Sequence, residues 1–356
     1  MSAFTVEELR IPARIEDADA ADFIATVDVR NAVEAEVWGS DEGTWTAAEL
    51  LPGWQSEHEP HRLFGVRVDG RVVARAMFET RLGEAADTAW VVVQVLPEYR
   101  RRGIGTALAD RVEGVAAESG VRKLIVYTPS ADAPGERLVP PTGSGSVPAG
   151  NAEVRFLLAR GYRLEQVARA SRLALPVPAA DLEAHLAAAT ARAGTDYRVE
   201  RWTGPTPGDR LGDMAHLITR MVTDAPSAGL EEPADPWTAE RVHEEELREQ
   251  ASPTTVLTAA VEHVPSGRLA GYTQLYVPRE PHRPVTQGDT LVLREHRGHR
   301  LGMVLKIANL LHLEQERPGH PSVLTFNAEE NRPMLDVNEA VGFVSIGFEG
   351  AWRKDL

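Results

Sequence analysis

The chain has no cysteine. That excludes a thiol nucleophile, a disulfide scaffold and a thiolate-ligated metal, and no metal is expected. No apolar run approaches the roughly 20 residues needed to span a bilayer. The first residues lack the charged and apolar regions of a secretory signal. A cytoplasmic, membrane-free protein is the expectation. Basic residues are in deficit, 38 Lys and Arg against 53 Asp and Glu, for a net charge of −15. Such a surface is unsuited to nucleic acid or to anionic lipid, and it favours small cationic partners.

What is present is ordinary globular material, 43% hydrophobic and 26% charged. The 356 residues suffice for two domains, each with its own core. One stretch organises the rest. The apolar Val91–Leu96 runs into Arg100, Arg101, Arg102, Gly103, Ile104 and Gly105, and a helical pattern follows from Thr106. Glycines between a strand and a helix let successive N–H groups converge, and the helix's first turn adds partial positive charge, which suits a phosphate or pyrophosphate. Neighbouring arginines can add bidentate bonds to phosphate oxygens.

The stretch occurs twice. Arg297, Gly298, His299, Arg300, Leu301 and Gly302 follow the apolar Thr290–Leu293 and precede another helical run. The offset is constant (297 − 100 and 302 − 105 both give 197). A period that long indicates two copies of one domain rather than a solenoid. Both halves show the same programme: a first strand, two helices, a hairpin, a long strand, the turn, a helix and closing strands. Asp69-Gly70 and Pro265-Ser266-Gly267 mark the two hairpins. Pro129–Gly150, rich in Pro, Gly and Ser, is expected to be a mobile surface loop outside the core. Ala180–Ala193 reads as a bridging helix. The expected division is residues 1–176, a helical linker 177–195, and residues 196–356.

This programme, with Arg100-x-x-Gly103-x-Gly105, Asn331…Gly342-Phe343 and the near match Asn151…Gly161-Tyr162, resembles the GNAT acetyltransferase superfamily. The resemblance covers nearly the whole chain. It implies an α/β architecture: two tandem domains, each a mixed, mostly antiparallel sheet flanked by helices. It also implies acetyl-CoA as co-substrate, lying in a V-shaped opening between the fourth and fifth strands. The backbone of Val93, Val95 and Leu96, or of Leu291, Val292 and Leu293, would pair with pantetheine. The two turns would hold the pyrophosphate, and Asn327 and Asn331 would complete the second cofactor site.

By the same resemblance, transfer is direct, from thioester to amine. It needs an oxyanion donor, a base, help for the leaving thiolate, and alignment. Many members place a tyrosine four residues before the later glycine, where this chain has Leu157 and Asn338. Leucine offers nothing, whereas Asn338 can donate a hydrogen bond. Asp289 on the second long strand is the candidate base, with Leu291 and Leu293 expected on its face. It reads equally as a structural aspartate bonded to backbone. The first copy's strand offers only Gln94. Arg300 stands where the family has a glycine and fits the turn if its φ is ordinary. Asp224 and Glu244 are candidates for binding a cationic acceptor. The expected function is N-acetylation of a small cationic amine, with the second domain as catalyst. The competing reading is an acetyl-CoA-binding sensor or scaffold.

Overall fold

The structure is a computed structural model and describes residues 4–83 and 86–356. Contacts divide the chain into two compact units. Residues up to 168, with 227–233 and 347–356, form the first; 169–226 and 234–346 form the second.

The elements begin with β1 (Val6–Leu9), α1 (Ala21–Trp38), α2 (Ala47–Trp54), β2 (His61–Val68), β3 (Arg71–Thr80) and β4 (Thr88–Val95). They continue with α3 (Ile104–Glu118), β5 (Lys123–Ser130), β6 (Arg137–Leu138), β7 (Val147–Pro148), α4 (Ala152–Ala159) and β8 (Arg163–Ala174). Then come α5 (Ala179–Ala193), β9 (Tyr197–Thr203), α6 (Leu211–Asp224), α7 (Ala239–Glu249), β10 (Thr255–His263) and β11 (Arg268–Val277). The chain ends with β12 (Val285–Val292), α8 (Leu301–Glu316), β13 (Ser322–Ala328), α9 (Arg332–Val341) and β14 (Val344–Asp355).

In the first unit the strands run β1-β2-β3-β4-β5-β14. Neighbours are antiparallel except β4 and β5. Asp69 and Gly70 both take positive φ, 50° and 80°, the two-residue hairpin geometry that matches strand twist. Alternation then sorts side chains by face. Phe64, Val66, Ala74, Ala76 and Val91 pack with Leu108 and Val112 of α3. Leu63 packs with Phe23, Val27, Leu51 and Trp54 of α1 and α2. Helix α2 starts at a full capping box between Thr46 and Glu49. β4 pairs with β5 only from Thr88↔Lys123 to Trp90↔Ile125, after which the strands separate.

The stretch expected to be a coreless loop is tied down. β6 pairs with β7, Val147 is fully buried in the α3-side core, and Arg137 donates to Ser146 at 3.0 Å and 2.8 Å. One buried valine and a two-bond arginine clip are enough to anchor a segment whose composition promised neither.

In the second unit the order is β13-β12-β11-β10-β9, with only β12 and β13 parallel. Here too the parallel pairing is brief, Val285↔Val323 and Thr286↔Leu324. Leu182, Ala189 and Ala193 place α5 in this unit's core beside Leu257, Ala259 and Leu305. Met214, Leu217 and Val242 cover the opposite face with Tyr272 and Leu291. Between Thr273↔Thr290 and Leu275↔Gln287, β12 carries one residue more than β11, a β-bulge at Gly288-Asp289. Gly288 is needed there, since a Cβ would lie 2.5 Å from the Tyr276 ring.

The duplication extends to individual hydrogen bonds. Leu96 N–H to Val73 and Leu293 N–H to Ala270 are both 3.0 Å, and Tyr99 to Leu96 and His296 to Leu293 are both 2.9 Å. No helix among the described residues is long and apolar enough to cross a membrane.

Candidate active site

The two turns share one backbone. Arg101 and Gly298 take φ of 61° and 88°; two residues on, Gly103 and Arg300 take 85° and 60° and cap α3 and α8. Arg300 is therefore in the left-handed region, not at an ordinary φ. Each copy places one glycine and one arginine at its two left-handed positions. Ile104 and Leu301 are buried, so at these positions only backbone N–H groups face outward, as an anion seat requires. No neighbour lies within 4 Å of a Cβ placed at Gly103, so a phosphate could approach the turn closely.

Arg100 and Arg297 secure the turns to their strands. Arg100 Nε donates to the Val95 carbonyl at 2.9 Å, and Arg297 Nε to the Val292 carbonyl at 3.0 Å. Arg100 gives its two terminal nitrogens to Glu36, Nη1 at 3.0 Å, and Arg297 Nη2 lies 3.5 Å from Asp224. Arg102 folds back to the Glu98 carbonyl at 2.7 Å, leaving Arg101 as the side chain of this turn that, with Arg100, lines the neighbouring cleft.

That cleft, about 990 Å3, lies within the first unit and reaches both faces of its sheet where β4 and β5 part. On the α3 side it is lined by Val93, Val95, Gly103, Gly105 and Phe156, so the turn and the first long strand open onto it together. Leu96 lies in the core. On the α1/α2 side the walls are Arg30, Glu34, Trp54, Arg75, Gln94 and Tyr127. Arg75 and Gln94 are a cross-strand pair, so they share that face. Gln94 Nε2 donates to Glu34 Oε1 at 3.2 Å, and Trp38 Nε1 to Glu34 Oε2 at 3.1 Å.

Glu349 joins this group from β14. It pairs with Pro129, which lines the cleft, and Ala351 pairs with Tyr127. Gly347 lets Trp38 of α1 press against β14, since a Cβ there would lie 2.5 Å from the indole. Burial, with added repulsion from Glu34, pushes the Glu349 carboxyl up to about 7, against the pull of Arg30. Residues 227–233 close the same face. Leu230 is buried among Trp90, Ile125 and Ala351, and Tyr127 donates its hydroxyl proton to Glu232. Burial and the Glu232 charge keep that phenol protonated.

In the second unit Asp289 sits in the β12 bulge and accepts from the Tyr272 hydroxyl at 3.1 Å. Surrounding protein raises its pKa, and the tyrosine bond partly opposes this. Leu291 and Leu293 pack in one cluster with Tyr272. Asn338 is buried and donates to Asn327 Oδ1 at 2.7 Å, which brings two of the expected site residues together. Asn331 caps α9 through backbone only. Asp224 is held by Arg220 at 2.7 Å, Arg294 and Arg297. Glu244 is exposed on α7. His299 and His296 stack around Tyr197, whose hydroxyl meets His296 Nδ1 at 3.0 Å.

Sequence reasoning did not find Arg75, Glu34 or Glu349. Arg75 had a signal: a charge inside the apolar run Val72–Phe78. Glu349 had none, since its partners lie more than two hundred residues earlier in the chain.

A mixed sheet splayed at its parallel pair, with a left-handed Gly/Arg turn at a helix start and a polar face across the cleft, can seat a pyrophosphate-bearing ligand beside a second, smaller one. Residues 30–138 match the Acetyltransferase (GNAT) family. The mycothiol acetyltransferase of Geodermatophilus obscurus is 28% identical over 293 residues, 80% of each chain. Among solved structures, a tandem GNAT protein from the clavulanic acid biosynthesis pathway shares the fold with TM-score 0.70 and 23% identity, over 99% of this chain and 98% of that one. A GCN5-related N-acetyltransferase from Sphaerobacter thermophilus does so with TM-score 0.61 and 16% identity, over 99% and 95%. The chain thus carries a GNAT acetyltransferase match over residues 30–138 and shares its fold, over nearly its whole length, with a tandem GNAT protein.

Proposed function

We propose that the chain acetylates a small amine and that the first unit's cleft is where it does so. One observation carries this reading: a single cleft joins the Arg100–Gly105 turn to a face bearing Glu34 and Gln94, and Glu349 of β14 lies close enough to Glu34 and Arg30 of that face to feel both charges. Acetyl-CoA would supply an activated acetyl thioester, its pyrophosphate on the N–H groups of the turn and its pantetheine along Val93 and Val95. An acceptor arriving as an ammonium ion gives one proton to the Glu349 carboxylate, whose raised pKa matches that task near neutrality. The freed lone pair attacks the carbonyl carbon; a C–N bond forms, the C–S bond breaks, and coenzyme A leaves as thiolate, which takes up the nitrogen's second proton. Leu157 stands where many relatives have a tyrosine. A thiol pKa near 8.5 makes thiolate a tolerable leaving group without a general acid.

A second reading places the chemistry in the second unit, favoured by Asp289 with its raised pKa and by the Asn338–Asn327 pair. Asp224 and Glu244 would then serve the acceptor, although Asp224 already carries three arginines. A third leaves one or both units as acetyl-CoA sensors. The experiment is thiol release from acetyl-CoA with an amine panel, comparing Gly105→Glu with Gly302→Glu. Each puts a carboxylate at one pyrophosphate turn, and neither Cβ meets an atom closer than 3.6 Å. Loss of turnover in Gly105→Glu alone supports the first unit, and loss in Gly302→Glu alone moves the chemistry to the second. Binding without turnover of any amine would favour the sensor.

A further inference from the structure

We propose that the acceptor carries a carboxylate beside its amine, and that Arg75 in the first unit's cleft receives it. The proposal rests on the assignment of the acceptor face made above.

Arg75 is 4% exposed yet lines the cleft, and its Nε and Nη1 are buried without a hydrogen-bond partner. A guanidinium stripped of water and left with open N–H groups is costly, so such a group calls for a ligand. The nearby carboxylate of Glu34 does not fill that role, because its oxygens accept from Gln94 and Trp38. Gln94 Oε1 is also buried without a partner, leaving one acceptor beside the two donors. The Trp54 ring lies 5.4 Å below the guanidinium and holds the fork in place. A carboxylate accepts charge-assisted bonds from such a guanidinium more strongly than a neutral oxygen does.

Position and charge narrow the ligand. Arg75 projects to the α1/α2 face, opposite the side on which Gly105 meets Val95 and Phe156, so the cofactor's phosphates have their own seat. Glu34 and Glu349 on the same face offset Arg30 and Arg75, so the face carries no excess positive charge for a phosphate dianion and can balance an ammonium ion. With Arg75 and Glu349 both beside Arg30 and Glu34, the face suits a zwitterion. The chemical class is therefore free amino acids, with the amine directed to Glu349.

The test pairs free α-amino acids and β-alanine with their carboxamides, read by thiol release, in wild type, Arg75→Met and Arg75→Lys. Acetyl-CoA affinity, measured by calorimetry, should be the same in all three. Failure of acetyl-CoA to bind wild type would remove the underlying assignment rather than this proposal alone. The expected result is a kcat/KM preference for acid over amide of about tenfold or more, abolished in Arg75→Met and partly kept in Arg75→Lys. Equal use of acids and amides, or an unchanged preference in Arg75→Met, overturns it. If neither series turns over, the Arg75 Nε–H resonance, identified by its loss in Arg75→Met, is followed with coenzyme A present. A shift with the acids and none with the amides supports the proposal; no shift with any acid overturns it.

Discussion

Gly103 and Arg300 occupy the same left-handed position at the starts of α3 and α8, with φ of 85° and 60°. Glycine meets that geometry freely, whereas an L side chain is strained by about 1–2 kcal/mol. At this position the second unit carries strain that the first avoids, and two residues earlier the reverse holds, with Arg101 opposite Gly298. Arg300→Gly is expected to stabilise the second unit by about 1 kcal/mol, after allowing for glycine's greater freedom when unfolded. Gly103→Ala should cost the first unit about as much. Chemical denaturation checks both; a destabilised Arg300→Gly would mean that the guanidinium repays its strain.

Glu349 sets the expected pH dependence. If it accepts the acceptor's proton, kcat/KM should climb as the pH passes about 7 and Glu349 ionises. Glu349→Gln should flatten that limb and lower the rate by about 10²–10⁴-fold. Stability runs the other way. The folded-state pKa is raised, so this group's contribution is complete below its ordinary 4.5 and is lost as pH rises through about 7. Above pH 8, Glu349→Gln should be the more stable protein. A pH–rate limb that survives the substitution would assign the base elsewhere.

The turns were legible because a glycine/arginine bend is a local matter, written in six adjacent residues and then written again. The hairpins at Asp69-Gly70 and Ser266-Gly267 were legible for the same reason. The acceptor face was not, because Arg30, Arg75, Gln94 and Glu349 meet only after β14 has paired with β5. Asp224 shows the opposite limit. Its carboxylate invited a cationic substrate, but three arginines of its own unit reach it first. Likewise, Pro129–Gly150 had the composition of a free loop, and one apolar side chain, Val147, decided its fate.

Lys306 on α8 is buried with its Nζ unpartnered, and burial lowers its pKa to about 7. It corresponds by the 197-residue offset to Ala109, which lines the first unit's cleft. A depressed lysine pKa means the unfolded chain binds the proton more readily, so stability falls as pH drops from 10.5 toward 7. Lys306→Met removes that penalty and should stabilise the second unit at neutral pH by about 1–4 kcal/mol. A loss of stability would show that the ammonium has a partner through water.

Leu230 lies between α6 and α7 in the chain, yet it is fully buried with Trp90, Ile125 and Ala351 of the first unit. Gly229 and Glu231 reinforce it, accepting from Arg353 at 2.7 Å each. Leu230→Ala should cost about 2–5 kcal/mol through the cavity it leaves. The damage should appear as faster hydrogen exchange in β5 and β14. Because Tyr127 packs against the same cluster and lines the cleft, acceptor KM should rise while acetyl-CoA affinity holds. Tyr127→Phe, which only forfeits the bond to Glu232, should do less of both. If exchange in β5 and β14 is unchanged in Leu230→Ala, residues 227–233 do not belong to the acceptor face, and its wall must be drawn without them.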